Sequence, residues 1–437
     1  MKFYIYSVFG DELPLACILE SEGSEVVCTI QTPSYGNICE GILNKKDPES
    51  WEKEITPEDI IIFGSNTREG CEVADRLRER GCSKIIHGSD FGFKLEHDRA
   101  YGMQLLKDAG VKIPDTYAFK SNKDAIAFLL DNEGHYYYKP SKEDSASEDT
   151  YEGKTTADLI EFIRRQPEQD FIIQRYVEDG IAEVGCEVYF SGGNPMLAPS
   201  HTIETKRFGA GNTGSNTGCM SSVSWFDDSF DNPTMDQTWK KLFSIFKEMN
   251  YQGACDLSGI VSKSGEFSAL EFTTRFGYSQ EWALFQCLNQ SITSLMISIA
   301  SGEGVEMERT PEYFGLCART SFLPYPQEEK KGIEKEFRTI VSKTAGQEIT
   351  YTEHEGINYY FMDVMQKDGK LMTAGADGII CEVATKDLGI MTGQERVHEA
   401  CKDIHVGNLY WRTDMFEDAF SGIAKLKEAG FWGSSKL

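Results

Sequence analysis

Two acidic residues sit in apolar, strand-like runs: Asp256 in Gly253-Ala254-Cys255-Asp256-Leu257 and Glu271 in Ala269-Leu270-Glu271-Phe272-Thr273. Lys263-Ser264-Gly265 between them predicts a hairpin turn, and a turn centred between Lys263 and Ser264 sets Asp256 opposite Glu271. An unpaired carboxylate among apolar neighbours is costly. Two carboxylates with the Thr273 hydroxyl suit one or two Mg2+ ions, hard cations that take oxygen ligands. A pair of solvent-facing acids on an edge hairpin is the plainer reading of the same pattern. Lys139 ends the aromatic run His135-Tyr136-Tyr137-Tyr138 and precedes Pro140 and a small-residue stretch. There it can clamp a phosphate beneath the hydroxyls and amides of Ser145, Ala146 and Ser147, although taken alone it is equally an ordinary surface lysine.

Lys206 and Arg207 come just before residues 209–222, where glycines alternate with Asn, Thr and Ser. That stretch reads as a loop, either a flexible surface segment or a backbone-amide-rich anion site, and the adjacent bases favour the second. Cys219 lies within it with no base beside it, so a thiol nucleophile is not expected. His201 reads as a local hydrogen-bonding residue.

These side chains need a scaffold. In residues 1–95 apolar runs at 3–8, 25–30, 59–63 and 84–86 alternate with helical spacing at 13–19 and 71–80. Such alternation predicts a parallel sheet flanked by helices. Ligands on such sheets bind beyond the strand C-termini, here near residues 9–12 and 64–67. Neither segment is a GxGxxG. A second unit is expected over 96–310, with 112–180 as a smaller subdomain, and a small mixed α/β domain over 311–437. Residues 235–249 and 282–299 each read as one helix.

The chain has 437 residues, enough for roughly three domains. With 44 basic against 70 acidic side chains its net charge is −26, which argues against gripping a nucleic-acid backbone. Twelve cysteines and seven histidines are scattered without a CxxC or zinc spacing, as expected of free thiols in a reducing compartment. The start carries no secretory leader pattern and no window approaches 18 apolar residues, so a cytoplasmic location without a membrane partner is expected.

The segments Lys206-Arg207 with Gly214-Ser215-Asn216-Thr217-Gly218-Cys219-Met220, Leu270-Glu271-Phe272-Thr273-Thr274-Arg275-Phe276-Gly277 and Tyr410-Trp411-Arg412-Thr413-Asp414 occur in that order. With Lys139 they make the chain resemble the ATP-grasp superfamily and, within it, the phosphoribosylamine–glycine ligases, over about residues 1–420. The resemblance implies a multidomain α/β and α+β protein: an ATP-grasp fold, a Rossmann-like N-terminal domain and a small C-terminal domain. It implies ATP and Mg2+ (with Mn2+ as an alternative ion), and small-molecule carboxylate and amine substrates, in a monomer or homodimer. Arg99 and Lys139 would meet the nucleotide phosphates, and Gln174, Arg175, Tyr176 and Val177 the adenine edge. Glu183 or Glu187 would hold the ribose, with Glu183 favoured. Asp256, Glu271 and Thr273 would bind metal; Lys139, Arg275, Arg207 and Asn216 would act at the reacting phosphate and acceptor.

The implied chemistry is amide formation through an acyl phosphate, with glycine or another amino acid as the carboxylate. Three readings follow: a ligase using a different amine, the glycine ligase of purine biosynthesis itself, or a nucleotide-binding homologue with impaired turnover. The turn Phe9-Gly10-Asp11-Glu12-Leu13-Pro14 departs from the family's glycine-rich turn, which leaves the acceptor open.

Overall fold

The computed structural model describes residues 1–141, 149–302, 310, 312–323, 325 and 345–431. The first unit is parallel, as its strand–helix alternation predicts. Its strands β1 (Phe3–Ser7), β2 (Val26–Ile30), β3 (Ile60–Phe63) and β4 (Ile85–Ile86) lie in the order β2-β1-β3-β4. All four residues of β3 are buried, because helices cover both faces of such a sheet. The helix Arg68–Glu79 starts where Thr67 Oγ1 accepts the Gly70 N–H at 3.0 Å.

A four-stranded antiparallel sheet follows, β5 (Thr116–Phe119), β6 (Tyr136–Pro140), β7 (Tyr151–Gly153) and β8 (Phe171–Arg175), in the order β5-β8-β6-β7. Tyr136 and Tyr138 alternate inward against Leu129, Leu159 and Ile163, which leaves Tyr137 on the opposite face.

The largest sheet is built on β9 (Gly180–Ser191), with the short β10 (Asn194–Pro195) beside it. Its other members are β11 (Ser200–Gly209), β12 (Thr213–Phe226), β13 (Gly253–Ser262), β14 (Phe267–Thr273) and β15 (Phe314–Phe322). They run in the order β14-β13-β9-β11-β12-β15 and continue through strands Ile379–Asp387 and Asn358–Phe361. The C-terminal segment therefore extends the central sheet. Val184, Cys186, Val188, Ile203, Val223 and Leu257 point to its core face. All twelve cysteines are free, as expected. Among the described residues no helix is long and apolar enough to cross a membrane.

Three expectations need correction. Residues 209–222 are not a loop: β11 and β12 pair through them as a hairpin with only a short tip. Period-2 alternation is hard to see in a run of small residues, and pairing with β9 and β15 on either side supplies what propensity does not. The helix over 282–299 is two helices, Ser279–Gln286 and Ile292–Ser301. The break is stabilised because Ser291 Oγ accepts the Ser294 N–H (3.1 Å) and the Glu22 carboxylate accepts those of Ile292 (2.9 Å) and Thr293 (2.7 Å). The helix over 235–249 is likewise interrupted at Thr238, beside Trp239, whose indole N–H donates to the Cys186 carbonyl at 2.8 Å.

His87 fastens the first sheet to the large one. Its Nδ1–H donates to the Phe63 carbonyl (3.0 Å) while Nε2 accepts the Ala254 N–H (2.9 Å), which assigns the neutral tautomer. Gly253 has φ +135°, and a Cβ there would lie 2.1 Å from the ring. Burial pushes the imidazole pKa down to about 4. Because that lies below the unfolded value, the unfolded chain takes up the proton first. The contribution is full above the ordinary histidine range and is lost as pH falls through about 4. Wild type should therefore lose roughly 3 kcal/mol relative to His87→Gln across that window. Urea unfolding of both proteins at pH 7 and pH 4 measures it, and a pH-independent gap would refute it.

Candidate functional site

One face of the large sheet is polar where the small sheet approaches it. Asp256 lies beside Glu187 of β9 on one side and Thr273 of β14 on the other. Ser258 lies between Gly185 and Glu271. The expected Asp256–Glu271 pairing is thus shifted. The turn centres on Ser264, closed by Ser262 N–H to the Glu266 carbonyl (2.9 Å), with Gly265 at φ +77°. A bulge then leaves Leu270 unpaired between Ser258–Glu271 and Gly259–Ala269. Gly259 belongs there, since a Cβ would sit 2.3 Å from the Phe267 ring. The combined offset is two residues, so both acids keep the same face.

Glu271 is ion-paired to Arg99 Nη1. Burial by itself would raise its pKa, but the charges of Arg99, Lys139 and Lys206 hold it below the ordinary carboxylate range. Arg99 also donates from Nε to the Pro140 carbonyl (3.1 Å) and from its backbone N–H to Ser141 Oγ (2.9 Å). It therefore fixes the end of β6 over β14. Lys139 is 7% exposed, and burial pushes its ammonium pKa down to about 8 against the pull of Glu271. Lys206 Nζ lies 2.8 Å from Glu183 and 3.9 Å from Glu204, and chiefly Glu183 holds it protonated. Arg99 is thus the ion-pair partner of Glu271, and Lys139 and Lys206 add positive charge from two further strands.

Burial pushes Asp256 up to about 7 and, with Asp256 beside it, Glu187 up to about 8. Asp256 Oδ2 accepts from Ser258 at 2.8 Å, while Asp256 Oδ1 and Glu187 Oε1 have no hydrogen-bond partner among the described residues. A Cβ at Gly185 would lie 2.7 Å from Asp256 Oδ1, so the glycine makes room for it. The two ribose candidates separate: Glu183 is exposed beside Lys206, and Glu187 is buried with Asp256. Among the described residues no group of three or more His, Cys, Asp and Glu is arranged to hold a metal. Asp256, Glu271 and Thr273, the metal ligands expected from sequence, lie on one face of β13 and β14.

Tyr176 and Val177 lie between the end of β8 and the start of β9, joining the two sheets. Tyr176 stacks on His135 at 4.0 Å and 7°. Gln174 is buried, with Nε2 3.2 Å from Thr116 Oγ1 and its carbonyl oxygen unpartnered among the described residues. Arg175 donates to the Tyr136 hydroxyl at 2.8 Å. Ser145, Ala146 and Ser147 lie outside the described residues.

Arg207 pairs with Asn216 in the β11–β12 hairpin and donates to the Gly214 carbonyl at 2.8 Å. Its own carbonyl accepts from Arg412 Nη1 at 2.8 Å. Lys206, rather than Arg207, is thus the basic residue bound into the acidic cluster. Cys219 is fully buried and its thiol is pushed well up by burial, which agrees with a packing role. His201 bonds Asp227 at 2.9 Å.

Arg275 closes the far end. Its Nε donates to Glu96 at 3.1 Å, and its guanidinium lies 4.5 Å over the Tyr278 ring. Glu96 also accepts the Thr274 N–H (3.1 Å) and bonds Asn66 (3.2 Å), so the joint reaches the first sheet. A narrow cleft of about 30 Å3 opens beside Arg275, lined among others by Asp11, Glu12, Gly64 and Glu281. Lys206, Glu96 and Glu281 were not singled out as site residues from sequence. Lys206 had a signal in the basic pair, whereas Glu96 and Glu281 had none.

No family model matches the chain. It is 20% identical to a phosphoribosylamine–glycine ligase of Synechocystis sp. over 88% of this chain and 88% of that protein. The crystal structure of phosphoribosylamine–glycine ligase from Thermotoga maritima superposes with a TM-score of 0.72 at 18% identity, covering 95% of this chain and 100% of that one. The biotin carboxylase domain of Hydrogenobacter thermophilus 2-oxoglutarate carboxylase, in complex with MgADP and bicarbonate, gives 0.65 at 13%, covering 96% and 98%. The fold is ATP-grasp, with a parallel N-terminal domain preceding it.

Proposed function

We propose that this chain is an ATP-dependent carboxylate–amine ligase. The observation that carries the reading is the Arg99–Glu271 ion pair, with the buried Lys139 ending β6 and Lys206 on β11, between two sheets joined at Tyr176–Val177. Such a site can hold a triphosphate, with the hinge beside the adenine and the cations beside the phosphates. The similarity to phosphoribosylamine–glycine ligases and to an MgADP-bound carboxylase domain supports it.

The carboxylate oxygen of an amino acid attacks the γ-phosphorus of ATP. The bond to the bridging oxygen breaks, ADP leaves, and an acyl phosphate forms. A neutral amine then attacks the acyl carbon; the C–N bond forms, phosphate departs and the nitrogen loses a proton. Lys139 and Arg275 offset charge on the transferred oxygens, and alignment between the sheets supplies proximity. Asp256, Glu271 and Thr273 would hold Mg2+, or Mn2+ with the same oxygen donors, and the unpartnered Asp256 Oδ1 fits that role. Bound there, the ion would neutralise phosphate charge. Glycine is the leading carboxylate.

The test is ADP release from MgATP with glycine against a panel of amines that includes phosphoribosylamine generated in place, with mass detection of the amide. ADP and amide should appear in equal amounts. ADP without amide, or turnover unchanged in Lys139→Met, would sink the reading.

A further inference from the structure

We infer that the cleft beside Arg275 binds a cationic amine, a molecule carrying an ammonium group and no phosphate, as the acceptor. The word acceptor rests on the ligase reading above; the binding chemistry rests on the cleft. It lies beyond the C-terminal ends of β1 and β3, where parallel sheets bind ligands. It also adjoins Arg275, which is bonded to Glu96 and follows β14, the strand that carries Glu271.

The walls are built for positive charge. Glu12 and Glu281 are 8% and 4% exposed, and each has one carboxyl oxygen without a partner among the described residues. Both line the cleft, as does Asp11. A Cβ on Gly64 would lie 1.6 Å from Glu12 Oε1, so the glycine cedes its side-chain space to that carboxyl group. Both nearby arginines are tied to acids, although Arg275 lines the cleft and Arg319 Nη2 has no partner among the described residues. Arg275 is bonded to Glu96 and to the Phe276 carbonyl (3.1 Å), and Arg319 to Glu382 (2.7 Å) and Tyr325 (2.9 Å). Asp363 and Asp377, in the segment behind, add to the acidic surroundings of Asp11, which Arg319 and Arg275 offset in part.

Burial, then Asp377, pushes Asp11 up to about 6, and burial, then Asp11, pushes Glu12 up to about 8. A phosphate here would meet more repulsion, whereas an ammonium relieves it. Glu12 is also placed to take the proton the amine must lose. The ammonium passes one proton to the Glu12 carboxylate, the freed lone pair attacks the acyl carbon, and the second proton leaves with phosphate.

The full chain, loaded with MgADP, is titrated by calorimetry with 1,4-diaminobutane and with O-phosphoethanolamine. Diaminobutane is expected to bind at least tenfold more tightly. Glu12→Gln and Glu281→Gln should each weaken it tenfold or more with MgADP binding retained, while the exposed Glu79→Gln leaves it unchanged. Preference for phosphoethanolamine, no diaminobutane binding at millimolar concentration, or unchanged binding in both cleft variants would overturn the inference. The two readings fail separately. Diaminobutane binding without ADP release from any carboxylate counts against the ligase but supports the cleft. ADP release with a phosphorylated amine and not with diaminobutane does the reverse.

Discussion

Lys139→Met should lower kcat/KM for ATP by about 10^3-fold or more, because it removes the buried cation that the ligase proposal sets against the phosphate oxygens. Fold stability should change little by comparison. The ammonium itself is costly to bury: burial pushes its pKa down to about 8 against the pull of Glu271 and, less, of Glu183. The pH profile follows from that value. As pH rises through about 8 the free protein loses the Lys139 charge, so kcat/KM should fall on the alkaline side. Lys139→Arg keeps a charge that does not titrate there and should flatten that limb while lowering the rate, since a planar fork does not replace a point charge. Steady-state rates between pH 6.5 and 9.5 for the three proteins decide it. A Lys139→Met rate within tenfold of wild type, or an alkaline limb that survives in Lys139→Arg, would contradict the assignment.

Arg412→Met should destabilise the protein by about 3–5 kcal/mol, the range for breaking a buried, hydrogen-bonded ion pair. The Arg412 side chain is 1% exposed and grips Asp414 with two bonds, Nε at 2.9 Å and Nη2 at 2.7 Å. Its Nη1 donates to the Arg207 carbonyl and to Asn212 Oδ1, at 2.8 and 2.9 Å. Asp414 in turn accepts the Gly211 N–H at 2.7 Å, and the Tyr410 hydroxyl donates to the Phe208 carbonyl at 3.2 Å. The motif near the C-terminus therefore clamps the tip of the β11–β12 hairpin from about 200 residues away. Arg412→Lys should recover less than half the loss, because one ammonium cannot span those acceptors. Urea unfolding gives the energy, and amide exchange at residues 210–212 reports the tip. A loss below 1 kcal/mol with unchanged exchange would refute the clamp.

Legibility divided along physical lines. Ile60-Ile61-Ile62-Phe63 could be read as a buried strand from four residues, since local apolar runs encode burial directly. Lys139 stood out because it ends such a run. The breaks at Thr238 and Ser291 were missed because apolar spacing continues through them, and it takes Trp239 docking on Cys186 and the Glu22 carboxylate to stop the helices. The hairpin over 209–222 was missed for the opposite reason, a composition that resembles a loop until neighbouring strands claim its hydrogen bonds.

Taken by itself, the sequence determined the parallel first sheet, the free cysteines, the β13–β14 hairpin and the residue types of a phosphate site. These depend on contacts between near neighbours in the chain. Tertiary structure alone decided which acid meets which base. The two-residue register offset placed Glu271 beside Ser258 and under Arg99, 172 residues earlier. Packing of separate elements also drew Lys206 onto Glu183 and left Glu12 buried against Gly64 with one carboxyl oxygen unpartnered among the described residues. Charge pairing falls steeply with distance and grows as water is excluded, and both depend on how separate elements pack rather than on any local run of residues.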